Sequence, residues 1–243
     1  YKLPLGSPQA RGKAMVNLLP LEEGEFITTV MPLPEDEESW SELYAMFSTR
    51  VGNIRRNQLS DFVNIKANGK IAMKLEDGDV LVDVQVCTEQ DDVLLSTRNG
   101  MCIRSAVTDV RVFSGRTSTG VRGIRLGSED EVISMSILNH INIETDVRDD
   151  YLKVASALRR SSDDENGEAA ERSSDLAAET IDGLAEHEQF ILTVTERGFG
   201  KRSSAFEYRT TGRGGKGIAN IEMTERNGPV VASFPVGSSD QVM

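Results

Sequence analysis

Six residues, Gly212-Arg213-Gly214-Gly215-Lys216-Gly217, hold four glycines and two cations. No large apolar side chain sits there to pack, so the stretch is either a loop that meets a phosphate or a solvated turn. Glycine frees backbone N–H groups, and two cations beside them are what a phosphate group needs. Gly212, Gly214 and Gly217 formally fit the spacing G-x-G-x-x-G. That pattern binds dinucleotides only between a buried strand and a helix. Here "FEYRTT" precedes it and the short, strand-like "IANIEM" follows. A nucleoside-triphosphate loop needs Ser or Thr after its lysine to reach magnesium, and Gly217 stands there. Phosphate contact through the two cations and a plain surface turn are the readings left.

No other group of residues assembles a catalytic or metal-binding set. His140 and His187 lie far apart, with no Cys or carboxylate at ligand spacing, and read as surface or structural residues. Cys87 and Cys102 form no metal-binding pair and read as reduced core residues of a cytosolic protein. Trp40 and Tyr44, beside an acidic run, read as packing under a loop. The expectation is no catalytic residue and no metal in this chain.

The elements that carry the loop repeat along the chain. Gly-x-x-x-Φ-x-Φ, with Φ apolar, recurs as GKAMVNL at Gly12, GKIAMKL at Gly69, GVRGIRL at Gly120 and GIANIEM at Gly217. "STRVGNIRR", "STRNGMCIR" and "VTERGFGKR" share a strand end, a glycine turn and a basic strand start, so Gly52, Gly100 and Gly198 predict hairpins. Val80, Val82, Val84 and Val86 alternate as on a half-buried strand. "EVISMSIL", "FILTVTE" and "FITTVMPL" (Phe26–Leu33) are further strand candidates. Units of roughly fifty residues, all β, are the size of a four-stranded propeller blade. The expected fold is all-β, a propeller-like partial ring of stacked four-stranded blades.

Residues 141–189 interrupt the period. Val147, Tyr151, Val154 and Leu158 are spaced as on a helix, and Ser174 to Leu184 predicts a second short one with Ser174 as its N-cap. "SSDDENGEAAERS" between them reads as disordered. The predicted organisation is therefore one partial and two further blades over 1–140, an acidic insertion over 141–189, and a further blade with the start of the next over 190–243. With little apolar surface in the insertion, the blades should fold without it.

Charge is distributed unevenly. The net −12 of the chain is concentrated in two blocks, residues 141–189 at net −9 and Glu22–Glu42 at net −8, and the remainder is net +5. Cations recur at one place in each repeat: Arg11 and Lys13, Lys70 and Lys74, then Arg116, Arg122 and Arg125, and finally Arg213 and Lys216. Arg55, Arg56, Arg104, Lys201 and Arg202 begin equivalent strands. Cations in register around a ring form a stripe that suits a DNA backbone. With Gly214 and Gly215 of the loop, these are the candidate DNA-binding residues. The acidic insertion, if it hangs near that stripe, would compete with phosphate for the same cations. A protein-binding propeller would instead show apolar loop tips, and a hydrolase would need convergent carboxylates.

"RGKAMVNLLPLEEGE", "NGKIAMKLEDGD", "STGVRGIRLG", "GFGKRSSAFEY" and "IEMTERNGPVV" resemble the C-terminal domain of DNA gyrase A subunits, over nearly the whole chain outside 141–189. The topoisomerase IV counterpart is similar. The resemblance implies a six-bladed β-pinwheel whose blades exchange strands and whose basic perimeter wraps double-stranded DNA in support of supercoiling. It places the catalytic tyrosine in another part of the gyrase A polypeptide, and ATP with Mg2+ in the partner B subunit. This chain would then need no cofactor and would work in the bacterial cytoplasm, at the nucleoid, away from membranes. It opens at Tyr1 without Met and reads as a fragment. The family's wrapping box, Gln-Arg-Arg-Gly-Gly-Lys/Arg-Gly, is matched by Thr211 to Gly217 in its last five positions only. Thr211 and Gly212 depart from it, so the loop reads as the blade-equivalent of the box.

Overall fold

The computed structural model describes residues 4–66, 68–163, 176–237 and 240–241. Among the described residues, eleven strands form three antiparallel sheets. The first holds β1 (Tyr44–Thr49), β2 (Asn53–Gln58) and β3 (Leu81–Cys87), with the two-residue β6 (Val121–Arg122) beside β2. The second holds β4 (Asp91–Thr97), β5 (Met101–Ala106) and β7 (Val132–Asn139), with β10 (Ile218–Ala219) beside β5. The third holds β8 (Phe190–Thr195), β9 (Gly200–Ser204) and β11 (Val230–Val236). β6 follows β5 in the chain, and β10 follows β9. The first two sheets are therefore each completed by a strand from the next unit along the chain.

Local sequence explains both the hairpins and the exchange. Gly52, Gly100 and Gly198 close the three hairpins at φ of 87°, 79° and 79°, a region that favours glycine. The turn amides are then held by aspartates from later turns, Val51 N by Asp79 Oδ1 at 3.1 Å and Asn99 N by Asp130 Oδ1 at 2.9 Å. The repeated glycines begin the donated strands. Gly120 (φ 88°) and Gly217 (φ 75°) bring their backbone so close to Ile54 O and Cys102 O that a Cβ would collide with those carbonyls. Gly12 shares the conformation, at φ 72°, but nothing lies within 4 Å of its Cβ direction.

The sheets stack through shared cores. Met46, Ile54, Leu95, Ile103, Ile124 and Met135 fill the space between the first two, and Leu94, Cys102, Leu138, Ile191 and Tyr208 that between the second and third. Trp40, Phe47 and Leu59 close the outer face of the first sheet, where Trp40 Nε1 donates to Pro34 O at 3.0 Å. β1, β2, β4 and β5 of the first two sheets, covered on both faces, are buried along nearly their whole length, whereas β9 and β11 of the third leave Lys201, Arg202, Val231 and Phe234 exposed.

Two expectations fail here. Phe26–Leu33 forms no strand, and Phe26 and Val30 are 69% and 65% exposed. A strand needs a partner for its backbone groups, and no described strand lies beside this one. The insertion also has an apolar face that its composition did not suggest. Its helices α1 (Thr145–Asp163) and α2 (Ala178–His187) are the only α-helices among the described residues, and they form a core of their own. Tyr151, Val154, Ala155 and Ile181 enclose Phe206 of the third blade, with the Tyr151 and Phe206 rings edge-on at 5.6 Å. α2 begins after Ala177, which makes no side-chain cap. Ser174, and the part of the predicted disordered stretch beyond Asp163, lie outside the described residues.

Candidate nucleic-acid interface

The glycine loop lies on the seam between two blades. It follows a 3-10 turn, Ala205–Glu207, and leads into β10. Gly214 N donates to Gly123 O at 2.6 Å, and Arg125 N donates to Gly215 O at 2.8 Å. Arg213 reaches the same seam, with Nε donating to Asp109 O at 2.9 Å and Nη1 to Arg122 O at 3.1 Å. The loop of the third unit is thereby laid against the donated strand of the second. Arg122, Arg125, Arg213 and Lys216, far apart in the chain, become neighbours, and all four are exposed. A cleft beside them is lined by Arg104, Arg209, Gly212, Gly215 and Lys216. Because the Gly214 amide is spent on Gly123 O, it does not cradle a phosphate as the sequence suggested.

Other predicted cations fall into different places. Arg11 and Lys13 are exposed on a segment that joins no sheet. Lys70 donates from Nζ to Asp61 O at 2.6 Å, and Arg116 from Nε to Ile71 O at 3.0 Å, so both are half-buried anchors of their loops. Lys74, Lys201 and Arg202 are exposed, with Arg202 over the Phe190 ring at 5.0 Å.

Arg55, Arg56 and Arg104 are corrected outright as direct phosphate contacts. They are 0%, 4% and 5% exposed. Arg104 is bound by Asp92 Oδ2 at 2.7 Å, Ala205 O at 2.8 Å and Asn139 O at 2.9 Å. Arg56 stacks on Tyr44 at 4.5 Å and pairs with Glu89 at 3.4 Å. The reason is the stacking: alternation along a strand gives an outward face only where one side of the sheet is free, and here neither is. His140, read as surface or structural, supports the same centre, with Nδ1 at 2.8 Å from Asp92 Oδ1.

Among the exposed cations that the sequence reading passed over, two stand at equivalent places. Arg111 and Arg209 each stand two residues past the end of a 3-10 turn, Val107–Asp109 and Ala205–Glu207, in successive blades. The residue after each bridges in parallel to a buried arginine, Val112 to Arg56 and Thr210 to Arg104. Aligning those turns would have found them. Among the described residues no three His, Cys, Asp or Glu side chains are grouped to hold a metal ion, and no helix is long and apolar enough to cross a membrane.

Antiparallel blades that pass a strand from each unit to the one before, with cations gathered on the junction, define a strand-exchanged β-propeller with a basic rim. The chain belongs to the DNA gyrase C-terminal domain, beta-propeller, family, whose model matches residues 1–34, 44–88, 91–139 and 189–236. Both insertion helices lie outside the matched residues. The chain is 49% identical to the DNA gyrase A protein of Granulibacter bethesdensis and 34% identical to that of Escherichia coli, in each case over 100% of this chain and over 27% and 22% of the relative. It thus spans about a quarter of the length of those relatives. The fold is similar to the C-terminal domain of DNA topoisomerase IV, with a TM-score of 0.66, 18% identity, and coverage of 94% of this chain and 56% of that one.

Proposed function

We propose that this chain binds duplex DNA along its basic rim without reading sequence, and bends it around the blades as part of a DNA gyrase A protein. The observation that carries this is the meeting of Arg122, Arg125, Arg213 and Lys216 at one blade junction, held there by backbone bonds and open to solvent. Cations fixed on a curved surface meet successive phosphates and release their counterions. Arg111, Lys201, Arg202 and Arg209 extend the same role, and Arg11, Lys13 and Lys74 add to it. In this reading the blades over 1–140 and 190–243 hold the DNA and 141–189 is an accessory element. The parent protein would supercoil DNA in the bacterial cytoplasm with a B subunit that supplies ATP and Mg2+ chemistry.

The test is a salt titration of duplex affinity. Wild-type affinity should fall steeply with salt for every sequence alike. R213A/K216A should weaken binding to all sequences and flatten the slope by about one to two. A loss confined to particular DNA sequences would count against backbone contact.

A further inference from the structure

The three arginines buried among the described residues are not alike. Arg56 pairs with Glu89 and Arg104 with Asp92. Arg55, 0% exposed, forms no ion pair with any described carboxylate. Its Nε donates to Asn57 Oδ1 at 2.7 Å, and its Nη1 to Ser118 O and Oγ at 2.6 and 3.0 Å. Its Nη2 is buried with no hydrogen-bond partner. Asp61, the acid that acts on it electrostatically, is engaged by Asn57 Nδ2 at 3.2 Å.

More positive charge surrounds it. The Arg55 guanidinium lies 4.7 Å from the centre of the Phe113 ring, and that of Arg111 lies 4.1 Å from the same ring. Arg116 stands two residues before Ser118 and is fixed through Ile71 O. Lys74 N reaches Ser118 O at 3.3 Å, which brings an exposed lysine to the same patch. Burial, then Arg111 and Arg116, hold the Arg55 guanidinium below its ordinary pKa. The corresponding positions of the next two hairpins are Ile103 and Lys201, so the arrangement belongs to the first junction.

A buried cation without a counter-charge is costly, and like charges beside it add to the cost. An anion docked on the patch offsets both. A tetrahedral oxyanion fits best, because guanidinium forks hold its oxygens in pairs. We propose that Arg55, Arg111 and Arg116 form a phosphate-group site at the junction of the first two blades. Arg111 and Arg116 hold the oxyanion, and Arg55 supplies unpaired positive charge behind them. The site deepens the proposed DNA-binding role, and rests on it only for the source of the phosphate, a DNA backbone or the free ion.

Thermal melts in inorganic phosphate, against chloride at matched ionic strength, test the site without DNA. The wild-type chain should show a saturable rise in Tm with phosphate. R111A/R116A should abolish that rise, read as the difference between its own melts in phosphate and in chloride, because losing the Arg116 anchor also moves its baseline Tm. R55M, where it folds, should weaken the half-saturating phosphate concentration about tenfold or more. A Tm that follows ionic strength alone, or a rise that survives in R111A/R116A, overturns the proposal. A duplex titration of the same variant then names the source. A salt slope flatter by about one identifies a DNA phosphate, and an unchanged slope identifies the free ion. A wild-type chain that bound no DNA would sink the proposed function and leave the phosphate melts standing.

Discussion

Arg104 Nε stands 2.7 Å from Asp92 Oδ2, and both side chains are buried, at 5% and 0% exposure. His140 and Thr210 complete the ring around the carboxylate at 2.8 and 3.3 Å. The pair thus joins β4, β5, the end of β7 and the third blade's rim segment. Removing one member leaves the other charged and unpaired in the interior, which costs about 3–5 kcal/mol. R104A and D92A should both lower unfolding free energy in urea by that amount, and the double variant should cost less than their sum. The salt slope of DNA binding should stay at its wild-type value under conditions where the variants fold. A weakened slope with unchanged stability would restore Arg104 as a phosphate contact.

The repeated glycines give a graded prediction. A left-handed residue other than glycine costs about 1–2 kcal/mol. At Gly12 that strain is the whole cost, because its Cβ would meet nothing within 4 Å. At Gly120 and Gly217 the Cβ also collides with the backbone of Ile54 and Cys102, so the donated strand must retreat. G120A and G217A should therefore unfold at markedly lower urea concentration than G12A. Equal midpoints for the three would show that the exchange tolerates a side chain.

Phe206 separates a decorative insertion from a structural one. It is 4% exposed, with its cover supplied by Tyr151, Val154 and Ile181. Replacing residues 145–187 with a short Gly/Ser linker uncovers that ring. The expected result is a lowered Tm, contrary to what the acidic composition suggested. F206A in the intact chain should cost about 3–5 kcal/mol. In the linker variant the same change should cost far less. A linker variant as stable as wild type would refute the packing role.

Alkaline pH should unfold the protein from within. Burial pushes the Cys87 and Cys102 thiols and the Tyr208 phenol each up to about 12. Their neutral forms are favoured in the fold, so the stability they contribute is complete below the unfolded values, about 9 for the thiols and 10 for the phenol. It is lost as pH rises toward 12. Urea midpoints should fall progressively above pH 9, and tyrosinate absorbance should rise together with unfolding. A midpoint constant from pH 8 to 11 would contradict this.

Much of the fold was legible because glycine marks positions that other residues cannot fill. Gly52, Gly100 and Gly198 announced three hairpins; Gly120 and Gly217 marked the repeat, while the exchange of strands was only what the family resemblance implied. That Arg122, Arg125, Arg213 and Lys216 meet at one junction was legible for the same reason, since the cations are in register with those glycines. The inward turn of Arg56 and Arg104 was not. Their acidic partners, Glu89 and Asp92, come from other segments, and nothing in a strand's own alternation shows that both faces are covered. Phe26–Leu33 has a strand's composition and no neighbour to pair with, a fact only tertiary structure supplies. Nothing in the sequence around Phe206 shows that two helices from another segment cover it.

The forward passing of strands fixes a schedule for synthesis. The free edge of β2 waits for Val121 and Arg122, and all of β3, β4 and β5 must leave the ribosome first. β5 waits in turn for Ile218 and Ala219, on the far side of the acidic insertion. Each nascent blade therefore carries an open edge, able to pair with a neighbouring chain, until the following unit has been translated. The helices between β7 and β8 lengthen the second of these waits, so ribosome pausing within codons 141–189 prolongs the period in which β5 is exposed.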